Sequence, residues 1–117
     1  LATRDLPDPE APSVPDVPLP DAVENFEQIS DLVEAHGATL ILMTEHTRAE
    51  QAGRLQVYRQ AQQDLAESRP GVIFLDVRPA FEDGTDDEML VDQNHLTRRG
   101  GAQLGALIAQ TVGPLLR

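Results

Sequence analysis

The chain opens its ordered pattern with Val23, Phe26, Ile29, Leu32 and Val33, spaced three to four residues apart as the stripe of one amphipathic helix. Asp21 with Glu24 three residues on reads as a capping box, with Pro20 just outside it. Gly37 reads as the left-handed residue that ends the helix, and His36 in the last turn suits the helix dipole. The period then changes. Leu40-Ile41-Leu42-Met43 is a continuous apolar run, the mark of a strand buried on both faces. Thr47-Arg48-Ala49-Glu50 reads as a second capping box, starting a helix with Leu55, Tyr58, Ala61 and Leu65 on one face that stops before Pro70-Gly71. Val72-Ile73-Phe74-Leu75 repeats the buried-strand pattern. Strand, helix and strand predict a parallel, right-handed βαβ unit. A last helix carries Leu104, Leu107, Ile108 and Val112 on its apolar face. The expected strands are 39–44 and 72–77, and the expected helices lie near 21–36, 48–68 and 97–112.

Two segments break this regularity. Residues 1–20 hold six of the nine prolines together with Asp5, Asp8, Glu10 and Asp16. Proline fixes φ and removes donors, so this stretch reads as an extended acidic linker or surface loop, and 21–117 as the folded part. Residues 78–89 carry Glu82, Asp83, Asp86, Asp87 and Glu88 and read as a solvated acidic loop; their spacing does not fit a calcium loop. Two parallel strands, each apolar on both faces, need further strands beside them and helices on both sides. The expectation is therefore an α/β domain that this chain does not complete by itself, unless an oligomer partner completes it, with Leu40, Ile41, Val72 or Phe74 on an open edge that invites aggregation or dimerisation.

Charge narrows the function. With 20 acidic residues, 9 basic residues and a net charge of −11, the chain lacks the basic footprint that nucleic acid or an anionic membrane requires. All its basic residues are arginine. There is no cysteine, hence no disulfide or thiolate metal site, and no apolar run approaches the ~20 residues of a membrane span.

The candidate chemistry sits in Val91-Asp92-Gln93-Asn94-His95-Leu96-Thr97, followed by Arg98-Arg99-Gly100-Gly101. Asp92 and His95 are three residues apart. On a tight turn before a helix, that spacing lets the carboxylate accept a hydrogen bond from imidazole Nδ1–H and leaves Nε2 outward as a general base. Thr97 reads as the helix N-cap, and the glycine pair permits a close backbone approach. D-x-x-H-L-T-x-x-G, after the last strand and before a C-terminal amphipathic helix, resembles the final motif of the SGNH (GDSL-type) serine hydrolases. The resemblance covers roughly 21–117. It implies a three-layer α/β/α, flavodoxin-like fold with a parallel sheet, of which this chain holds only the C-terminal part, and it makes Asp92 and His95 the acid and base of a Ser-His-Asp triad. It also implies ester hydrolysis or acyl transfer without a cofactor, on an ester-bearing small molecule, a lipid or an acylated saccharide. The family's serine, glycine and asparagine motifs lie upstream and are not in this stretch, so a complementary N-terminal segment must carry the serine.

No serine here is a fit nucleophile. Ser13 lies among the prolines, Ser30 within the first helix, and Ser68 at the end of the second helix, opposite the carboxyl ends of the strands. His46 follows the first strand on the side where α/β sheets gather reactive groups, and is expected to line the substrate cleft. Two other readings stay open: a non-catalytic α/β binding module, and a metal-dependent hydrolase using His46, Asp92 and His95. The compartment is unknown; many members of the family are secreted or periplasmic.

Overall fold

The structure, a computed structural model, describes residues 17–116, with the backbone alone described for 49–52. The proline-rich stretch up to Asp16, including Ser13, lies outside the described residues. Helix α1 spans Leu19–Ala35. It begins two residues before the expected start, and the Asp21–Glu24 capping box does not form: the N-cap is Pro18, with no side-chain cap bond. Pro20 falls inside the first turn, where a proline has no needed N–H to lose and its fixed φ already suits the helix. Gly37 does adopt the left-handed conformation, at φ 66°. His36 Nδ1 lies 2.8 Å from the Leu32 carbonyl, so its N–H caps an oxygen the last turn leaves free.

Strand β1 (Leu40–Met43) and strand β2 (Val72–Leu75) pair in parallel, with Leu40 opposite Val72 and Met43 opposite Leu75. Helix α2 (Ala49–Ser68) makes the crossover. Both strands stop short of the expected 44 and 77. Just beyond them, the Thr44 hydroxyl accepts from Arg59 and the Asp76 carboxylate accepts from Arg78. The fold is mixed α/β around this two-stranded sheet. Each strand keeps one unpaired edge among the described residues. Of the four residues expected there, Val72 is buried, while Leu40, Ile41 and Phe74 are half-buried.

The expected helix stripes are only partly the buried ones. On α1, Ala22 and Ser30 are buried, whereas Ile29 and Leu32 are exposed. On α2, Leu55, Tyr58, Ala61 and Leu65 are half-buried, and the buried positions are Arg59 and Gln62. In both helices the line of deepest burial passes beside the apolar stripe. Val23 and Phe26 share a groove with Ala61 and Leu65, so the apolar sides of α1 and α2 are spent partly on each other.

The core lies toward the carboxyl end of β2. Leu75, Val77, Ala80, Phe81 and Met89 form it, and Ile41, Leu96, Leu104, Leu107 and Ile108 pack against it. The expected solvated loop 78–89 is therefore corrected. It contains a 3-10 turn (Arg78–Phe81) and the short helix α3 (Asp86–Met89), which drive Phe81 and Met89 inward while its acids stay at the surface. Thr85 and Glu88 form a reciprocal capping box at the start of α3, a T-x-x-E signal carried within the acidic run. Helix α4 (Arg98–Val112) follows, and a 3-10 turn (Gly113–Leu116) ends the described chain. No helix among the described residues is long and apolar enough to cross a membrane.

Candidate functional site

Residues 91–95 form a turn whose two ends are pinned together. Leu90 and Leu96 make an isolated antiparallel bridge. Val91 N–H donates to His95 O at 2.9 Å, and Thr97 N–H donates to Met89 O at 2.8 Å. Leu90 is buried and Leu96 packs on the core, so the hydrophobic residues on either side hold the polar turn outward. Thr97 caps α4 as expected, accepting from Gly100 N–H at 3.1 Å, and its hydroxyl donates to Glu88 O at 2.6 Å. Gly100 makes the expected close approach, because a Cβ there would sit 2.3 Å from Met89 O. Gly101 meets nothing within 4 Å and plays no such part.

Inside the turn, Asp92 Oδ1 accepts from the backbone N–H of Asn94 at 3.0 Å and of His95 at 2.8 Å. This is the local pairing that aspartate favours in turns. The carboxylate also meets His95 Nδ1, at 2.8 Å from Oδ2 and 3.0 Å from Oδ1. The Asn94 backbone N–H, then that of His95, hold the Asp92 carboxyl below its ordinary value. An ionised Asp92 can only accept, so the bond assigns the proton to Nδ1 and leaves Nε2 with its lone pair free. Both side chains face solvent, His95 at 75% exposure and Asp92 at 55%. The geometry expected from the three-residue spacing is present, and it gives an open acid–base pair.

Arg48 fastens this turn to the end of β1. Its Nε donates to Asp92 O at 2.9 Å, its backbone N–H to Gln93 O at 3.1 Å, and a guanidinium N–H to Asp87 at 2.8 Å. The expected Thr47–Glu50 capping box is accordingly not what starts α2. The N-cap is Arg48 itself, with no side-chain cap bond. Its partners lie about forty residues away in sequence, so no local pattern could have disclosed them.

His46 stands just past β1, as expected. Its ring stacks on Phe81, with centroids 3.9 Å apart and planes 9° from parallel. Nε2 is 3.6 Å from Asp86 Oδ1, beyond hydrogen-bond length, and is buried without a partner. It lines a cavity of about 420 Å³ together with Glu45, Gln56, Arg59, Arg78 and Asp86. The structure does not bring His46 together with Asp92 and His95. Among the described residues, no group of three or more His, Cys, Asp or Glu side chains is arranged to hold a metal ion.

The described serines lie elsewhere. Ser30 is buried and accepts from Arg69 at 3.1 Å, and Ser68 Oγ donates to Leu65 O at 2.9 Å. Both belong to the end of the sheet where β2 begins, away from the Asp92–His95 turn. Searches against protein-family models, curated proteins and solved structures return no match to this chain.

Proposed function

We propose that this chain supplies the acid and base of a serine ester hydrolase or acyl-transfer enzyme of the SGNH type, with the nucleophilic serine borne by a segment outside these 117 residues. The observation that carries the reading is the Asp92–His95 contact at 2.8 Å, held by backbone N–H groups on an exposed turn at the entrance to α4. The parallel β1–α2–β2 unit and the unpaired strand edges are compatible with a larger three-layer α/β/α, flavodoxin-like sheet. In this reading the missing strands and the serine belong beside those edges.

The chemistry follows from the proton positions. Asp92 keeps the proton of His95 on Nδ1. Nε2 takes the serine hydroxyl proton as Oγ attacks the ester carbonyl carbon, giving a tetrahedral oxyanion. The carbonyl re-forms as the C–O bond to the alcohol breaks, and Nε2–H protonates the departing alkoxide. A water, or an acceptor alcohol, then repeats the cycle on the acyl-serine. The substrate is an ester on a small molecule, a lipid or a saccharide.

The test is made in a chain that includes the serine-bearing segment. His95→Ala is expected to lower kcat for ester hydrolysis by roughly three orders of magnitude or more. Asp92→Asn should leave the circular-dichroism spectrum intact and still depress kcat, because the amide no longer enforces the Nδ1–H tautomer. Full activity in the His95→Ala enzyme would remove the triad reading and leave a binding module as the better account.

A further inference from the structure

Arg59 is the one charged residue among the described residues that is buried, at 7% exposure. Its hydrogen-bond partners are neutral: Nε donates to Thr44 Oγ1 at 3.4 Å, and a terminal N–H donates to Gln56 Oε1 at 2.9 Å. Arg48, Arg69, Arg78 and Arg99 each pair with a carboxylate, whereas Arg59 has none within 4.0 Å among the described residues. Asp76 is near enough to feel its charge, but the hydrogen bonds of its carboxylate go to Arg78, at 2.8 and 2.6 Å. A buried guanidinium with no carboxylate in direct contact is costly to desolvate, and an anion docking on it offsets part of that cost.

The space for such an anion is present. Arg59 lines the cavity of about 420 Å³ that His46 also lines, within the ~300–1,000 Å³ typical of small-ligand sites. His46 contributes its ring, stacked on Phe81; its Nε2 has no surface open to the cavity and lies 3.6 Å from Asp86 Oδ1. Thr47 and Gln56 add side chains able to hydrogen-bond. The acids of the lining, Glu45 and Asp86, keep contact with water and stay hydrated, while Arg59 is the buried member. The cavity lies at the carboxyl end of β1, where open parallel sheets bind their ligands.

We propose that this cavity binds the carboxylate or phosphate group of a small-molecule ligand, with Arg59 as the counter-ion. The planar guanidinium suits either anion, because its parallel N–H groups can meet two oxygens at once. The proposal is independent of the Asp92–His95 pair and needs no catalysis to be tested.

The 117-residue chain, labelled with ¹⁵N, is titrated at low ionic strength with inorganic phosphate and, separately, with succinate. Chloride serves as the ionic control. A saturable shift of the Arg59 Nε–H resonance is expected with at least one of the two, and the stronger binder identifies the anion class. Arg59→Gln should weaken that binding about ten-fold or more, as loss of a charge-assisted pair does. Far-UV circular dichroism checks that each variant folds. If Arg59→Gln does not fold, Arg59→Lys keeps the charge without the planar fork and should bind several-fold more weakly. His95→Ala should bind as tightly as the unaltered chain, so this site and the hydrolase reading can fail separately. No saturable shift with either probe, a shift equalled by chloride, or undiminished binding in Arg59→Gln or Arg59→Lys would overturn the proposal. Weakened binding in His95→Ala would do the same by placing the anion elsewhere.

Discussion

Gly100→Ala and Gly101→Ala are neighbouring changes in the first turn of α4, and the structure requires them to have opposite signs. An alanine Cβ at position 100 would lie 2.3 Å from Met89 O, 3.2 Å from its carbonyl carbon and 3.3 Å from its Cα. Ordinary contact between such atoms is about 3.5–4.0 Å, so the two backbones must separate by roughly 1 Å. Neither is free to move. Met89 O already accepts the Thr97 N–H at 2.8 Å, and Gly100 N–H is committed to Thr97 Oγ1 at 3.1 Å. Overpacking costs about 1–3 kcal/mol, and a backbone obstacle places this case at the upper end. Alanine returns about 0.5–1 kcal/mol of helix propensity. The net expectation is a loss of about 2 kcal/mol, or roughly 8–16 °C in Tm for a domain of this size. At position 101 a Cβ meets nothing within 4 Å, so only the propensity remains. That variant should gain about 0.5–1 kcal/mol. Urea unfolding followed by circular dichroism at neutral pH measures both. A Gly100→Ala chain as stable as the parent would refute the close approach, and with it the placement of the Asp92–His95 turn against α3.

Met89 is wholly buried at the centre of the core, so Met89→Ala should cost about 2–5 kcal/mol in the same assay; a loss below about 1 kcal/mol would mean that the segment 78–89 is not packed as described. A pH experiment follows from Asp92, whose carboxyl is held below its ordinary value first by the Asn94 N–H and then by that of His95. A lowered folded value means that its contribution is fully present above the unfolded value near ~4 and fades as pH falls through the folded one. The stability difference between the parent and Asp92→Asn should therefore be constant above about pH 5 and shrink below about pH 4; a difference that grows on acidification contradicts the bonding pattern of the turn.

What the sequence could disclose was whatever depends on neighbours along the chain. The runs 40–43 and 72–75 announce buried strands, because four consecutive apolar residues have no polar face to turn to water. The left-handed Gly37, the Thr97 cap and the Asp92–His95 contact are closed within a few residues, so their spacing carries their geometry. The start of the first helix departs from the expected one for a reason of the same kind. Pro18 and Pro20 can begin a helix by their fixed φ, and Asp21 with Glu24 offered a cap that the chain did not need.

Tertiary structure alone decided which face of each helix is covered. Arg59 and Gln62 lie beside the apolar stripe of α2, and nothing in the period distinguishes a buried arginine from a solvated one. The acidic run 82–88 hid a packed segment, because Phe81 and Met89 on either side of it are drawn into one core only when β2 and α4 come together. Arg48 could not be assigned to the Asp92 turn from spacing, since its partner lies 44 residues on. Periodicity reports the local preference of the backbone. Burial, counter-ions and long-range hydrogen bonds belong to surfaces that do not exist until the distant segments meet.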